Sequence, residues 1–241
     1  MKFRVAEIFG PTIQGEGRHV GVPCYFIRFG GCDFRCNWCD SLHAVLPEYV
    51  SKLPQLTEDE ILTQLKSLPG RARWVVYSGG NPALLDLRKL SAYIMQSGYR
   101  IMVETQGTVF KPWLKDIDEL CISPKPPSSG MNYSLEDLTE FLDQLDGDPQ
   151  SRYLKIPVFD EDDYEYARTI HTAFPELEMF VSVGNEMPPH PDPRIVTKDP
   201  RNDISEKTRW LMEKVANDSW MRDVRVFPQL HVLAWGNERA R

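Results

Sequence analysis

The chain has 241 residues, 41% of them hydrophobic and 26% charged, enough apolar material for one sizeable core and too much for a disordered or fibrous polypeptide. With 28 basic against 35 acidic side chains the formal net charge is −7, which removes any blanket electrostatic attraction to nucleic acid or an anionic membrane. No apolar run approaches the roughly 18 to 20 residues of a membrane span, and the first ten residues carry Arg4 and Glu7, so the composition predicts a soluble, unexported, cytoplasmic protein.

Strands rich in β-branched and aromatic residues are predicted at 4–9 and 23–29, followed by a polar loop over 40–56 that contains Pro47 and Pro54. Thr57-Glu58-Asp59-Glu60 is a capping-box pattern, and Ile61, Leu62, Leu65 and Leu68 follow it at helical spacing. After a strand at 73–78, a helix of about 16 residues is expected from Pro82 to the stop at Gly98. Strands at 100–104 and 118–122 lead to a second cap, Ser134 to Asp137, with Leu138, Phe141, Leu142 and Leu145 on one helical face. The remainder reads as strand 152–158, helix 160–173, strand 178–183, a loop over 184–203 with five prolines, helix 205–217 and strand 223–227. Alternating strands and helices of this length predict an α/β fold with buried parallel strands, in which ligands collect at the carboxyl ends of the strands.

Three of the five cysteines, Cys32, Cys36 and Cys39, fall within eight positions, while Cys24 and Cys121 sit in apolar runs and read as small core residues. An odd number of thiols crowded into one loop points to metal ligands rather than disulfides, and chance yields only about 0.002 such triplets in a chain of this composition. Structural zinc takes four protein donors, whereas a 4Fe–4S cluster held by three thiolates keeps one iron open for a small chelating molecule. A zinc-stabilised, non-catalytic module completed by His43, Cys24 or Cys121 is the competing reading; it leaves the glycine-rich stretches further along unexplained. His19, His171 and His190 read as surface residues.

The run Cys32-Asp33-Phe34-Arg35-Cys36-Asn37-Trp38-Cys39 resembles the cluster loop of the radical S-adenosylmethionine (SAM) enzymes, in which SAM chelates the open iron and is cleaved by an electron from the cluster. Further stretches narrow the resemblance: Phe9 to Gly17, Cys39-Asp40-Ser41, Ser78-Gly79-Gly80-Asn81-Pro82, Glu104-Thr105-Gln106-Gly107-Thr108, Ser123-Pro124-Lys125-Pro126-Pro127 and Pro228-Gln229-Leu230-His231. Together they are similar to the 7-carboxy-7-deazaguanine synthase family over essentially the whole chain. The resemblance implies a single radical SAM domain over 1–241 with the shortened, modified (β/α) barrel of that superfamily, usually as a homodimer. It implies a lyase that converts 6-carboxy-5,6,7,8-tetrahydropterin to 7-carboxy-7-deazaguanine with loss of ammonia, on the route to queuosine and related 7-deazapurines. The implied cofactors are a 4Fe–4S cluster, SAM and Mg²⁺, and the implied reductant is a flavodoxin-type protein.

Residue by residue, the resemblance assigns Cys32, Cys36 and Cys39 to the cluster and Ser41 to magnesium. It gives Ile13, Gln14, Gly15, Arg28 and Ser78 to the pterin. Trp38, Cys39, Asp40, Gly80, Asn81, Ser123, Pro124 and Lys125 go to SAM. Many relatives carry Glu where Asn81 stands, so recognition of the SAM ammonium at that position is expected to be weaker or to come from backbone alone. Glu104, at the end of a strand, is expected to move a proton or to orient the ligand. A glycyl-radical activating enzyme shares the cysteine spacing and is the rival within the same chemistry; it acts on a protein substrate.

Overall fold

Parallel strands need crossovers of a dozen residues or more, and the helices lie where those crossovers must be. In the computed structural model, which describes residues 1–145 and 151–241, the strands form one nine-stranded sheet in the order β3-β1-β2-β4-β5-β6-β7-β8-β9. β1 (Lys2–Ile13) runs antiparallel to both β2 (Pro23–Phe29) and the short β3 (Gln55–Thr57). From β2 onward every pairing is parallel, through β4 (Trp74–Gly79), β5 (Arg100–Thr105), β6 (Glu119–Ile122), β7 (Arg152–Val158), β8 (Met179–Val183) and β9 (Arg225–Phe227). β3 and β9 do not pair with one another, so the sheet is an open, partial (β/α) barrel.

Both capping boxes form. Thr57 caps α3 (Glu58–Ser67) with Glu60 reaching back, and Ser134 caps α5 (Leu135–Asp143) with Asp137 in the same role. The other long helices are α4 (Arg88–Gln96), α6 (Glu161–Ala173) and α7 (Arg201–Asn217).

The expected helix from Pro82 to Gly98 is broken. Asn81 caps only a single 3₁₀ turn, Pro82–Leu84, by accepting from the Ala83 N–H, and the Leu85 carbonyl is taken by the Trp113 indole at 2.9 Å. The helix restarts at Arg88, whose N–H is received by Asp86. The stretch 40–56 is not one loop: it holds two short helices, α1 (Leu42–Val45) and α2 (Pro47–Val50), and reaches into β3. Pro47 opens α2, where its missing N–H costs nothing. α7 begins at Arg201 rather than 205, and a last helix that periodicity did not reveal, α8 (Leu230–Trp235), follows β9. Two of the three surface histidines are corrected: His171 is buried on the inner face of α6, and His19 pairs with the buried Glu119. Cys24 and Cys121 are core residues.

The period of two along each strand sorts residues between two environments. Ile27, Val75, Tyr77, Ile101, Val103, Ile122, Leu154 and Ile156 share one face and pack with Ile61, Leu90, Leu138 and Ile170 of the helices. Their neighbours on the other face, Cys24, Phe26, Trp74, Val76 and Met102, then Cys121, Tyr153, Phe180 and Phe227, form an apolar floor inside the partial barrel.

Candidate active site

At the carboxyl ends of the strands this inner face turns polar. Two residues beyond each floor residue stand Arg28 on β2, Ser78 on β4, Glu104 on β5, Ser123 just past β6, Lys155 on β7 and Ser182 on β8, and all of them line one cavity. Arg28 and Ser78 are paired in register, so strand geometry alone puts them side by side. The loops after β2, β4 and β6 supply the opposite side of the same cavity, including Cys32, Cys36 and Cys39.

The three thiols are unpaired and half-buried. Burial pushes all three thiols up; Asp40 adds to the effect at Cys39, which reaches about 12, and Cys32 raises both Cys36 and Cys39. A bare thiolate trio is therefore unfavourable here, Lys125 offsets part of that cost at Cys32 and Cys36, and bound cations would neutralise it. Among the described residues no three His, Cys, Asp or Glu side chains already close on a single metal-ion point. The donor set nonetheless fits a 4Fe–4S cluster, in which each thiolate meets its own iron. The zinc alternative loses its fourth donor, since Cys24 and Cys121 lie in the core and His43 faces Glu7 at 3.4 Å.

A second polar group occupies the strand side. The Lys155 ammonium lies 2.6 Å from Glu16 and 3.6 Å from Glu104. Burial pulls Lys155 down, but the two carboxylates outweigh it and hold the ammonium well above its usual range. Burial likewise raises Glu16, yet Lys155, His231 and the Gln229 amide together bring it down to about 2. Gln14 donates to Glu104 at 3.3 Å, and Gln229 donates to Glu16 at 2.9 Å. Gly15 has no room for a side chain: a Cβ there would sit 2.2 Å from the His231 ring, so the glycine lets the segment after β9 close against β1. The Leu230 N–H completes that seam by donating to the Gly15 carbonyl.

Near the cluster loop, Arg28 donates to Glu7 at 2.8 Å and to the Ser41 hydroxyl at 2.9 Å, while Ser41 donates to Asp40. Burial would raise Glu7, but His43 and Arg28 draw it down to about 2. Trp38 stacks on Phe159 with ring centroids 4.8 Å apart, and its indole donates to Ser128, which is itself fixed by Asp163. Lys125, lowered by its burial, donates to both oxygens of Ser123.

Of the residues singled out from sequence, Ile13, Gln14, Gly15, Arg28, Cys32, Cys36, Trp38, Cys39, Asp40, Ser41, Ser78, Gly80, Glu104, Ser123 and Lys125 all line the cavity. Pro124 is buried and is not part of its lining. Asn81 departs from expectation: it is fully buried, absent from the lining, and its amide is spent on Asp33, Thr105, Thr108 and Ala83, which makes it a strut beneath the loops. Sequence reasoning gave no role to Glu16, Gln106, Lys155, Gln229 or His231, all of which line the cavity. Lys155 carried a usable signal, a cation in the middle of a strand, Arg152–Val158, that is otherwise apolar beyond its first residue.

An open (β/α) sheet with three free thiols at its carboxyl mouth is the architecture of a radical SAM protein, and residues 26–156 match the family model described as Radical SAM superfamily. The chain is 41% identical to the 7-carboxy-7-deazaguanine synthase of Bacillus cereus, across 99% of this chain and 98% of the relative. It is also 41% identical to that of Bacillus subtilis, across 98% and 97%. The crystal structure of QueE from Escherichia coli shares the fold, with a TM-score of 0.68 at 24% identity over 96% of this chain and 95% of that one. The chain therefore belongs to the radical SAM superfamily and, within it, to the 7-carboxy-7-deazaguanine synthase family.

Proposed function

We propose that this protein is a radical SAM lyase that converts 6-carboxy-5,6,7,8-tetrahydropterin to 7-carboxy-7-deazaguanine with release of ammonia, a step in queuosine and 7-deazapurine synthesis. One observation carries the reading: a single cavity bears three free thiols on its loop side and, on its strand side, amides, carboxylates and cations suited to a donor- and acceptor-rich heterocycle. Cys32, Cys36 and Cys39 would hold the cluster. When bound, the cluster and SAM supply reversible hydrogen-atom abstraction from the substrate.

The remaining work belongs to the chain. Arg28 keeps guanidinium donors beyond those given to Glu7 and Ser41 and would receive the pterin carboxylate, with the Ser41 hydroxyl beside it as a ligand for Mg²⁺. Gln14, Gly15, Glu16 and Gln229 would read the edges of the ring, next to Ile13 and Ser78. Loss of ammonia needs a proton at the departing nitrogen; Glu104 would deliver or accept it, or orient the ring for it, with the Lys155 ammonium 3.6 Å away as its counter-charge. Lys125 and Ser123 would take the carboxylate and hydroxyl groups of SAM, Gly80 would meet it through backbone, and Trp38 with Asp40 would border its adenine. A single domain over 1–241, a homodimer, a cytoplasmic setting and a flavodoxin-type reductant complete the proposal. Among the described residues no helix is long and apolar enough to cross a membrane.

The test offers reduced, anaerobically reconstituted protein SAM and 6-carboxytetrahydropterin and follows products by mass. Deazapurine without net loss of SAM is expected. Zinc in place of iron and sulfide, or SAM consumption with the pterin untouched, would overturn the reading.

A further inference from the structure

The loop after β5 holds a residue whose place the reading above leaves unused. Gln106 is buried at the rim of the cavity, and its amide nitrogen lies 2.6 Å from Asp33 Oδ1 and 3.6 Å from Cys32 Sγ. The Asp33 carboxylate only accepts, so the nitrogen end of the amide must face it, and the second amide hydrogen is left for the Cys32 sulfur. Cys32 Sγ also receives the Phe34 N–H at 3.4 Å, which brings its donors to two. The Asp33 carboxylate is the hub of a larger latch: it accepts from Asn81 at 2.9 Å and from Thr108 at 2.5 Å as well as from Gln106. Backbone reinforces the latch, since the Asn81 N–H donates to the Gly31 carbonyl at 2.8 Å. Three loops that share no local sequence, those after β2, β4 and β5, are thereby tied together at the first cluster ligand.

A hydrogen bond to a ligating sulfur stabilises the more negative, reduced form of an iron–sulfur centre, because the added electron places charge on the sulfurs. Resting on the functional reading above, we propose that Gln106 is a positioning residue for the cluster: it fixes the Cys32–Asp33 turn and, by donating to the Cys32 sulfur, raises the cluster's reduction potential. Gln106 touches neither the pterin nor SAM in this role; it acts through Cys32.

Redox titration of the reconstituted cluster, without pterin, tests this directly. Gln106→Met keeps the length of the side chain and removes the donor; iron and sulfide content equal to the parent and a more negative midpoint are expected. Gln106→Glu places a carboxylate against the same sulfur and should move the midpoint further in that direction. Thr108→Val removes a donor from Asp33 and an acceptor from the Asn81 amide but leaves the Cys32 sulfur its donors, and should shift it less. A parent-like midpoint in Gln106→Met, or an equal shift in Thr108→Val, would overturn the proposal. Should Gln106→Met take up no cluster, amide hydrogen exchange over residues 32–39 of the apo chain decides: faster exchange than in the parent is expected, and unchanged exchange refutes the latch. A parent protein that binds no cluster would sink the functional reading instead, and the exchange measurement would still stand.

Discussion

The two sides of the cavity are built by different means. On the strand side, Arg28, Ser78, Glu104, Lys155 and Ser182 are set by sheet register, each two residues past a member of the apolar floor. On the loop side, Cys32 to Cys39 lie beyond the sheet and depend on hydrogen bonds to residues 73 to 75 positions away, together with the close packing of Gly80 on Gly31. The strand side is rigid because the sheet is; the loop side is rigid only while its cross-links hold. The two sides should therefore fail separately.

The largest effect is expected from replacing Cys32, Cys36 or Cys39 with Ala. Cluster absorption and turnover should both fall to background while circular dichroism stays that of the parent. Lys155→Met attacks the other side: it leaves Glu16 and Glu104 facing one another without a counter-charge and should cost about 3 to 5 kcal/mol in chemical denaturation at neutral pH, with iron content preserved. Gly80→Ala puts a Cβ 1.9 Å from the Gly31 carbonyl oxygen, so the cluster loop must shift; a cost of about 1 to 3 kcal/mol and reduced iron loading are expected.

Acid sharpens the contrast. Glu16 sits at about 2 in the folded chain against an ordinary 4.5, so its contribution is complete above about 4.5 and is lost as the pH falls toward 2. Glu16→Gln should flatten the stability profile across that window, and an unchanged profile would show that the pair with Lys155 contributes nothing. The smallest effect belongs far from the cavity, where Ser134→Ala removes the cap of α5 and should lower stability by about 1 kcal/mol without touching turnover.

Legibility in the sequence follows the same division. The strands 23–29 and 152–158 match the sequence expectation to the residue, because each is a mainly apolar, β-prone run bounded by turn signals. The cysteine triplet was legible from its spacing, and the other assigned cavity residues from motifs after strands that resemble those of the family. The role of Asn81 was not, since a polar residue in a glycine loop reads as a ligand contact until Asp33, Thr105 and Thr108 are seen around it. Nor was the break in the Pro82–Gly98 helix, which depends on the Trp113 indole reaching the Leu85 carbonyl from 28 residues away. Long-range partners of this kind leave no trace in local periodicity.

The seam where Gln229 meets Glu16 joins positions 213 apart in the chain. A ribosome therefore releases one lip of the reaction chamber 213 residues ahead of the other. A nascent chain can thus gather most of its sheet before this seam closes, and a cluster inserted ahead of that closure would sit in an open vessel.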